Sequence, residues 1–242
     1  LRAYNGQNNP HILKVKRHFE RLAKSAEKIN IQMPYSGQEM INFAYELLER
    51  NDMREAYIRP LVLMDKNMTL RALDADKPNL LMTCWKWNRY YPSNHLKVLV
   101  SSWRRPHPRT MPVDIKVTGN YVNSILATRE AHQKGYDDAL LLDVEGYIAT
   151  GPGASFFMEK NGKLIVPPIT NIFPSITRTT LIDIAKQMGI DVVEKQFGVE
   201  DVIEADGAFF TGTAAEVAGI ESINGHKMKL PWEDTIGHLL HN

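Results

Sequence analysis

The residue best placed for covalent chemistry is Lys116, in the stretch PVDIKVTGNY at 112–121. A lysine amine can hold an aldehyde only while it is neutral, and apolar walls or nearby cations favour that form. Ile115 and Val117 flank Lys116 and Gly119 follows, which suits a tight, partly buried turn ahead of a helix. Taken alone, the pattern far more often belongs to an ordinary surface lysine, and Asp114 favours that simpler reading. Arg59 in AYIRPL is a second candidate. It stands among Ile58, Leu61 and Val62, where a guanidinium needs a partner or a pocket. The eight histidines show no ligand-like clustering, so no metal site is expected.

These residues need a scaffold, and 242 residues at 43% hydrophobic content suffice for one large domain or two lobes of about 100 residues each. A formal charge of +1, from 29 basic and 28 acidic residues, gives no electrostatic case for nucleic acid or an anionic membrane. No apolar run approaches the length of a membrane span, and no signal peptide is visible. The one cysteine, Cys84, excludes an internal disulfide framework and suits a reducing, cytoplasmic compartment. The opening LRAYNG lacks a methionine and reads as a strand entering a turn, so residues upstream are expected to be missing.

Periodicity predicts an α+β first lobe over 1–103: a hairpin around NGQNNP, a helix through Phe19, Leu22, Ala23 and Ala26, and a second helix opened by a Ser36–Glu39 capping box. The β-rich runs AYIRPLVLM, NLLMTCWKW and LKVLVSSW complete it. The proline-studded segment 104–112 reads as a linker, and 113–242 as a second lobe. That lobe starts with a helix from Asn120 stopped at Gly135. It continues through a hairpin tip at Glu145-Gly146, a helix capped by Thr177, and a hairpin on Asn224-Gly225. Hairpins mixed with helical connections exclude a Rossmann sheet and a TIM barrel.

The stretches AYIRPL, SSWRRPHPRTMP, IKVTGNYVNS, GYDDALLLDVEGYIATGPGASFF, FPSITR and FFTGTAAEV, in this order, closely resemble the class IV aminotransferases, above all the branched-chain amino acid aminotransferases. The resemblance covers nearly the whole chain, from LRAY to TAAEV. It implies the two-lobed type IV pyridoxal-phosphate fold with the cofactor between the lobes, and a homodimer whose partner loop helps close the substrate pocket. It also explains the abrupt start, because the family has a further stretch ahead of LRAY.

In that family the lysine of K-x-G-G-N-Y carries pyridoxal phosphate. The matching residue is Lys116, with Thr118 in the first glycine position. The resemblance gives Lys116 the further task of moving the proton of the substrate α-carbon, and places Tyr121 at the phenolic oxygen of the cofactor. It assigns the phosphate to Arg21, to Ile176 and Thr177 at a helix start, and to the Thr213 hydroxyl. The backbone amides of Ala214 and Ala215 would receive the substrate carboxylate, and Arg59 the distal carboxylate of glutamate or 2-oxoglutarate. Trp87 and Tyr90 are the candidates for an apolar wall, with Trp85 the alternative to Trp87.

One position departs from the family. A glutamate ordinarily precedes G-x-G and keeps a proton on the pyridine nitrogen; here ATGPGASFF puts Thr150 in its place. A hydroxyl supplies no negative charge. Replacing a charge-assisted hydrogen bond by a neutral one predicts a slowing of about one to two orders of magnitude, or more. Transamination of leucine, isoleucine or valine with 2-oxoglutarate is the first reading. Thr150 leaves open an aminodeoxychorismate lyase, a D-amino acid transaminase, or a non-catalytic pyridoxal-phosphate-binding relative.

Overall fold

The hairpin and capping signals of the first hundred residues form as their chemistry dictates. In the computed structural model, which describes residues 1–7, 9–64 and 77–242, β1 (Arg2–Asn5) and β2 (Pro10–Ile12) pair antiparallel. Helices α1 (Val15–Glu27) and α2 (Gly37–Arg50) follow. The Ser36 hydroxyl accepts from the Glu39 amide at 3.3 Å and the Glu39 carboxylate accepts from the Ser36 amide at 2.8 Å, a reciprocal cap. Strands β3 (Ala56–Met64) and β4 (Pro78–Trp85) complete a four-stranded sheet in the order β2-β1-β3-β4. Phe19, Met40, Ala44 and Leu48 cover one face of it through Ala3, Ile12 and Ile58. On the other face stand Tyr57, Arg59 and Leu61 of β3 opposite Trp85, Thr83 and Leu81 of β4, as the period of two requires.

The remaining elements are β5 (Leu96–Arg104), α3 (Tyr121–Gln133), β6 (Asp138–Leu142), β7 (Ile148–Thr150), β8 (Ser155–Lys160), β9 (Lys163–Val166), α4 (Ile176–Gln187), β10 (Val192–Glu194), α5 (Val199–Ile203), β11 (Gly207–Gly212), β12 (Glu216–Ile223), β13 (His226–Lys227) and α6 (Ile236–His241). They build a nine-stranded mixed sheet in the order β10-β9-β8-β11-β12-β5-β6-β7, with β13 on β12. β12 joins its halves: its first residues pair with β11, and from Ile220 it runs parallel to β5, with a register shift between Ile220 and Ser222. β8 and β11 are buried on both faces, so they read as apolar runs without alternation. Phe156 and Phe210 point into one cluster with Leu96, Leu140 and Ile148, whereas Phe157 and Phe209 pack with Leu181, Val217 and Trp232. α3 lies on β5 and β6 through the small residues Ala127 and Ala131.

The compact units are Leu1–Asn88 and Arg89–Asn242. Both are α+β. The sequence reading puts the boundary at a linker over 104–112, beyond β5. Pairing decides the matter: β5 is an interior strand between β12 and β6, so 89–112 folds with the second unit. Within that segment Arg105 is buried and its amide donates to the Leu142 carbonyl at 2.8 Å, which is why it is not a free linker. Three helix details also differ. A short 3₁₀ turn over Thr118–Asn120 precedes α3, which starts at Tyr121. Ser175, not Thr177, caps α4, its hydroxyl accepting from the Arg178 amide at 3.2 Å. Gly135, with φ of +80°, follows α3 as expected. No helix among the described residues is long and apolar enough to cross a membrane, and none of their His, Cys, Asp and Glu side chains form a group that could hold a metal ion.

Candidate functional site

Lys116 sits on a loop that is anchored on both sides. Val113 and Ile115 are buried beneath it, and the Asn120 side chain reaches back to donate to the Pro112 carbonyl at 2.9 Å. The loop is therefore closed around an exposed Lys116, which is not the partly buried lysine that the flanking residues suggest. Its amine donates to the hydroxyl of Tyr121, the residue that opens α3. The Nζ also lies 5.1 Å from the centre of the Tyr121 ring and 5.2 Å from that of Phe173. Two of the predicted residues are thus brought into direct contact by a five-residue step across the start of a helix. Thr118 is exposed, so this turn has room for a threonine where the family pattern has glycine.

Three further segments converge within the same unit. Thr150 ends β7 and its hydroxyl donates to the Ala154 carbonyl at 2.8 Å, which also accepts from the Gly151 amide at 2.9 Å. The turn between them is tied to α3 by Ser124, whose hydroxyl donates to the Pro152 carbonyl at 2.6 Å. Gly151 is required there, because a Cβ would come 2.8 Å from the Phe210 ring. Gly212, at the end of β11, approaches the same turn so closely that a Cβ would lie 3.3 Å from the Gly153 carbonyl oxygen. That approach brings Thr213, Ala214 and Ala215 next to residues 151–154. The three form the turn between β11 and β12, closed by Glu216 at φ of +55°. Tyr90 stands on the same side, its hydroxyl 3.4 Å from where a Gly153 Cβ would be.

Ile176 and Thr177 are the first two residues of α4, and both are half-buried. Their amides have no carbonyl four residues back inside the helix, and the positive end of the helix dipole lies there, the physical basis of anion binding at such a terminus. Glu145 is exposed at the tip beside Gly146, as its hairpin position predicts.

The other predicted residues belong to the N-terminal unit. Arg59 is exposed on the open face of the smaller sheet, its guanidinium carbon 5.1 Å from the Trp85 ring centre and 5.6 Å from that of Tyr57. Trp87 follows β4 and packs edge-on against Tyr57 at 4.7 Å. Arg2 holds this segment by donating to the carbonyls of Trp87 at 3.3 Å and Asn88 at 3.1 Å. Trp85, the alternative to Trp87, is the ring over which Arg59 lies, and the two tryptophan ring centres are 5.7 Å apart. Arg21 lies on α1 with Nη2 3.3 Å from His18 Nδ1.

Sequence reasoning missed Arg105. It is 7% exposed, its Nε has no hydrogen-bond partner, and Nη1 reaches only the Asn123 side-chain oxygen at 3.5 Å. Burial lowers its pKa, while the neighbouring Tyr121 acts in the opposite direction. A signal existed: it is the second arginine of SSWRRP, just past a strand and before a proline. Asn120 was also missed, although it is part of the motif that contains Lys116. The buried, incompletely bonded cation of Arg105 beside Tyr121, the amine of Lys116 and the helix start at Ile176 together fit the expectation of pyridoxal phosphate. They offer donors for a phenolic oxygen and a phosphate, and an amine for an aldehyde.

Comparison with known proteins shows the family of the chain. The family model for amino-transferase class IV matches residues 1–223. The branched-chain-amino-acid aminotransferase of Pseudomonas aeruginosa is 37% identical over 233 residues, covering 94% of this chain and 76% of that protein. Among solved structures, a branched-chain aminotransferase from Thermoproteus uzoniensis with norvaline superposes with a TM-score of 0.94 at 34% identity, over 99% of this chain and 80% of that one. A T.th. branched-chain amino acid aminotransferase complexed with N-(5'-phosphopyridoxyl)-L-glutamate gives 0.93 at 33% identity, again over 99% and 80%.

Proposed function

This chain belongs to the class IV aminotransferases, and from that premise we propose that it moves the amino group of leucine, isoleucine or valine to 2-oxoglutarate with the help of pyridoxal phosphate. The observation that carries the proposal is the contact between the Lys116 amine and the Tyr121 hydroxyl at the start of α3. When bound, pyridoxal phosphate supplies the aldehyde that takes up an amino group and a ring that draws electrons from the substrate α-carbon.

Lys116 Nζ is the amine that would hold the cofactor's aldehyde and would carry the proton of that carbon. Tyr121 and the open edge of Arg105 hold the phenolic oxygen. The amides of Ile176 and Thr177 and the hydroxyl of Thr213 hold the phosphate. Ala214 and Ala215 offer backbone amides to the substrate carboxylate, and Tyr90 forms part of the apolar wall. The roles of Arg21 at the phosphate, and of Arg59 and Trp87 at the substrate, rest on the sequence pattern. Support for the substrate pair comes from the relatives named above, one with norvaline and one complexed with a phosphopyridoxyl glutamate.

Thr150 favours a slower enzyme. Its proton is directed to the Ala154 carbonyl, so it offers the pyridine nitrogen neither a charge nor, in this rotamer, a donor. Thr150→Glu then raises turnover by about tenfold or more if the rest of the site is competent. No gain would favour the non-catalytic reading.

The decisive experiment follows the visible spectrum of the bound cofactor in purified protein on adding L-leucine, then 2-oxoglutarate. Leucine should change the spectrum and 2-oxoglutarate restore it, with glutamate as product. Lys116→Ala should do neither, at a loss of about 10²–10⁴-fold or more. A bound cofactor that ignores every amino acid overturns the proposal, and a response to D-alanine or aminodeoxychorismate alone transfers it to the corresponding relative.

A further inference from the structure

Asp138 is a buried carboxylate that the reaction above does not use. It is 2% exposed at the start of β6 and accepts three hydrogen bonds: from the Tyr91 hydroxyl at 2.6 Å, the Thr128 hydroxyl at 3.1 Å and the Ala139 amide at 2.8 Å. Burial raises the pKa of Asp138 and raises that of Tyr91 well above its ordinary value, so the desolvation of this pair is costly. A phenylalanine at Tyr91 with an apolar residue at Asp138 would fill the same space without that cost. What the polar pair adds is direction. The hydrogen bond pins the hydroxyl end of the Tyr91 ring, and since a phenolic O–H prefers to lie in the plane of its ring it also favours one ring orientation, while Pro92 restricts the Tyr91 backbone to extended conformations.

The fixed ring has a neighbour that matters. Tyr90 is 40% exposed and packs edge-to-face on Tyr91, with ring centres 4.7 Å apart at 81°. Behind Tyr91 lies Phe210, at 6.3 Å, the same ring that excludes a side chain at Gly151. Tyr90 thus has one rigid wall, and its hydroxyl stands over Gly153. We infer that Asp138 and Tyr91 are positioning residues for Tyr90: the carboxylate orients the Tyr91 ring, and that ring sets the angle at which Tyr90 meets the apolar part of the substrate. This deepens the proposed function and rests on it for the identity of the substrate.

The test uses holoenzyme carrying 3-fluorotyrosine at position 90, read by ¹⁹F NMR, with Tyr91→Phe and Asp138→Asn as variants. Tyr91→Phe keeps the ring and removes the hydroxyl, and should shift or broaden the Tyr90 resonance. It should also raise KM for L-leucine about fivefold with kcat little changed, the size of one neutral hydrogen bond. Asp138→Asn retains an acceptor for Tyr91 and should move both readouts less, in the same direction. It also serves as the second variant should Tyr91→Phe not fold. A Tyr90 resonance that neither variant moves overturns the inference. A resonance that moves while KM stays put upholds the positioning of Tyr90 and instead removes Tyr90 from the substrate wall.

Discussion

Two buried arginines of the larger unit divide structure from chemistry. Arg178, 5% exposed, donates from Nη2 to the Glu194 carboxylate at 2.7 Å and to the Pro167 carbonyl at 3.0 Å, and so ties α4 to β10. Arg105, 7% exposed, makes no ion pair among the described residues and has a single long bond to the neutral amide of Asn123. Each leaves its Nε without a partner. The difference is that one charge is answered within the fold and the other is not. A buried cation without a counter-charge is unfavourable until an anion arrives, and Arg105 stands beside Tyr121, where the proposed reaction places one.

Neutralising each arginine breaks or sharpens that contrast. Arg105→Met should weaken pyridoxal-phosphate binding by about 10- to 100-fold, the value of a charge-assisted hydrogen bond. The cofactor-free protein should melt no lower than wild type, since the substitution removes an uncompensated buried charge. Fluorescence titration with the cofactor and a melting curve without it read the two effects separately. Equal affinity with a lower melting point would make Arg105 another structural arginine. Arg178→Met should do the converse. It costs about 1–2 kcal/mol of stability, discounted because the Glu194 side chain is 48% exposed, and leaves cofactor affinity unchanged. A weakened affinity there would place Arg178 in the phosphate site through the start of α4.

The same contrast explains what could be read in the sequence. Lys116, Tyr121, Thr150 and the Ala214–Ala215 turn can be singled out as candidates because each lies within a local motif whose spacing survives in one dimension, and the structure brings the first two into contact. The Ser36–Glu39 cap and the hairpin on Asn224-Gly225 were legible for the same reason, since a cap and a tight turn are settled by three or four residues. β5 was placed in the wrong unit because its pairing with β12 joins residues more than a hundred positions apart, and no local pattern records it. Arg105 has a local sequence signal, but its burial and the Tyr91–Asp138 bond were invisible, because burial and partner choice arise only once β5, α3 and β6 are stacked. The exposure of Lys116 follows likewise from Val113 and Ile115 taking the buried positions on its loop.

Glu130 extends the comparison to a carboxylate whose partners, like those of Arg178, lie wholly inside the fold, and it gives the smallest effect. It sits on α3 and accepts from the Ser101 hydroxyl at 2.7 Å, the Ser102 amide at 2.9 Å and the Lys134 ammonium at 2.8 Å, fastening the helix to β5. Desolvation raises its pKa, but the hydrogen bonds from Lys134, Ser101 and Ser102 outweigh it and bring the value from 4.5 to about 2. A depressed carboxylate stabilises the fold above its unfolded value and loses that contribution as pH falls. The stabilisation from Glu130 is therefore complete above about pH 5, declines between 4.5 and 2, and is gone below. Glu130→Gln should lower stability at neutral pH and flatten the acid limb of the melting curve over that interval, with cofactor affinity at neutral pH unchanged. An acid limb as steep as that of wild type would mean that other carboxylates set it. A loss of cofactor affinity would show that fastening α3 to β5 also holds Tyr121 in place, and the line between the two kinds of buried charge would then run through α3 itself.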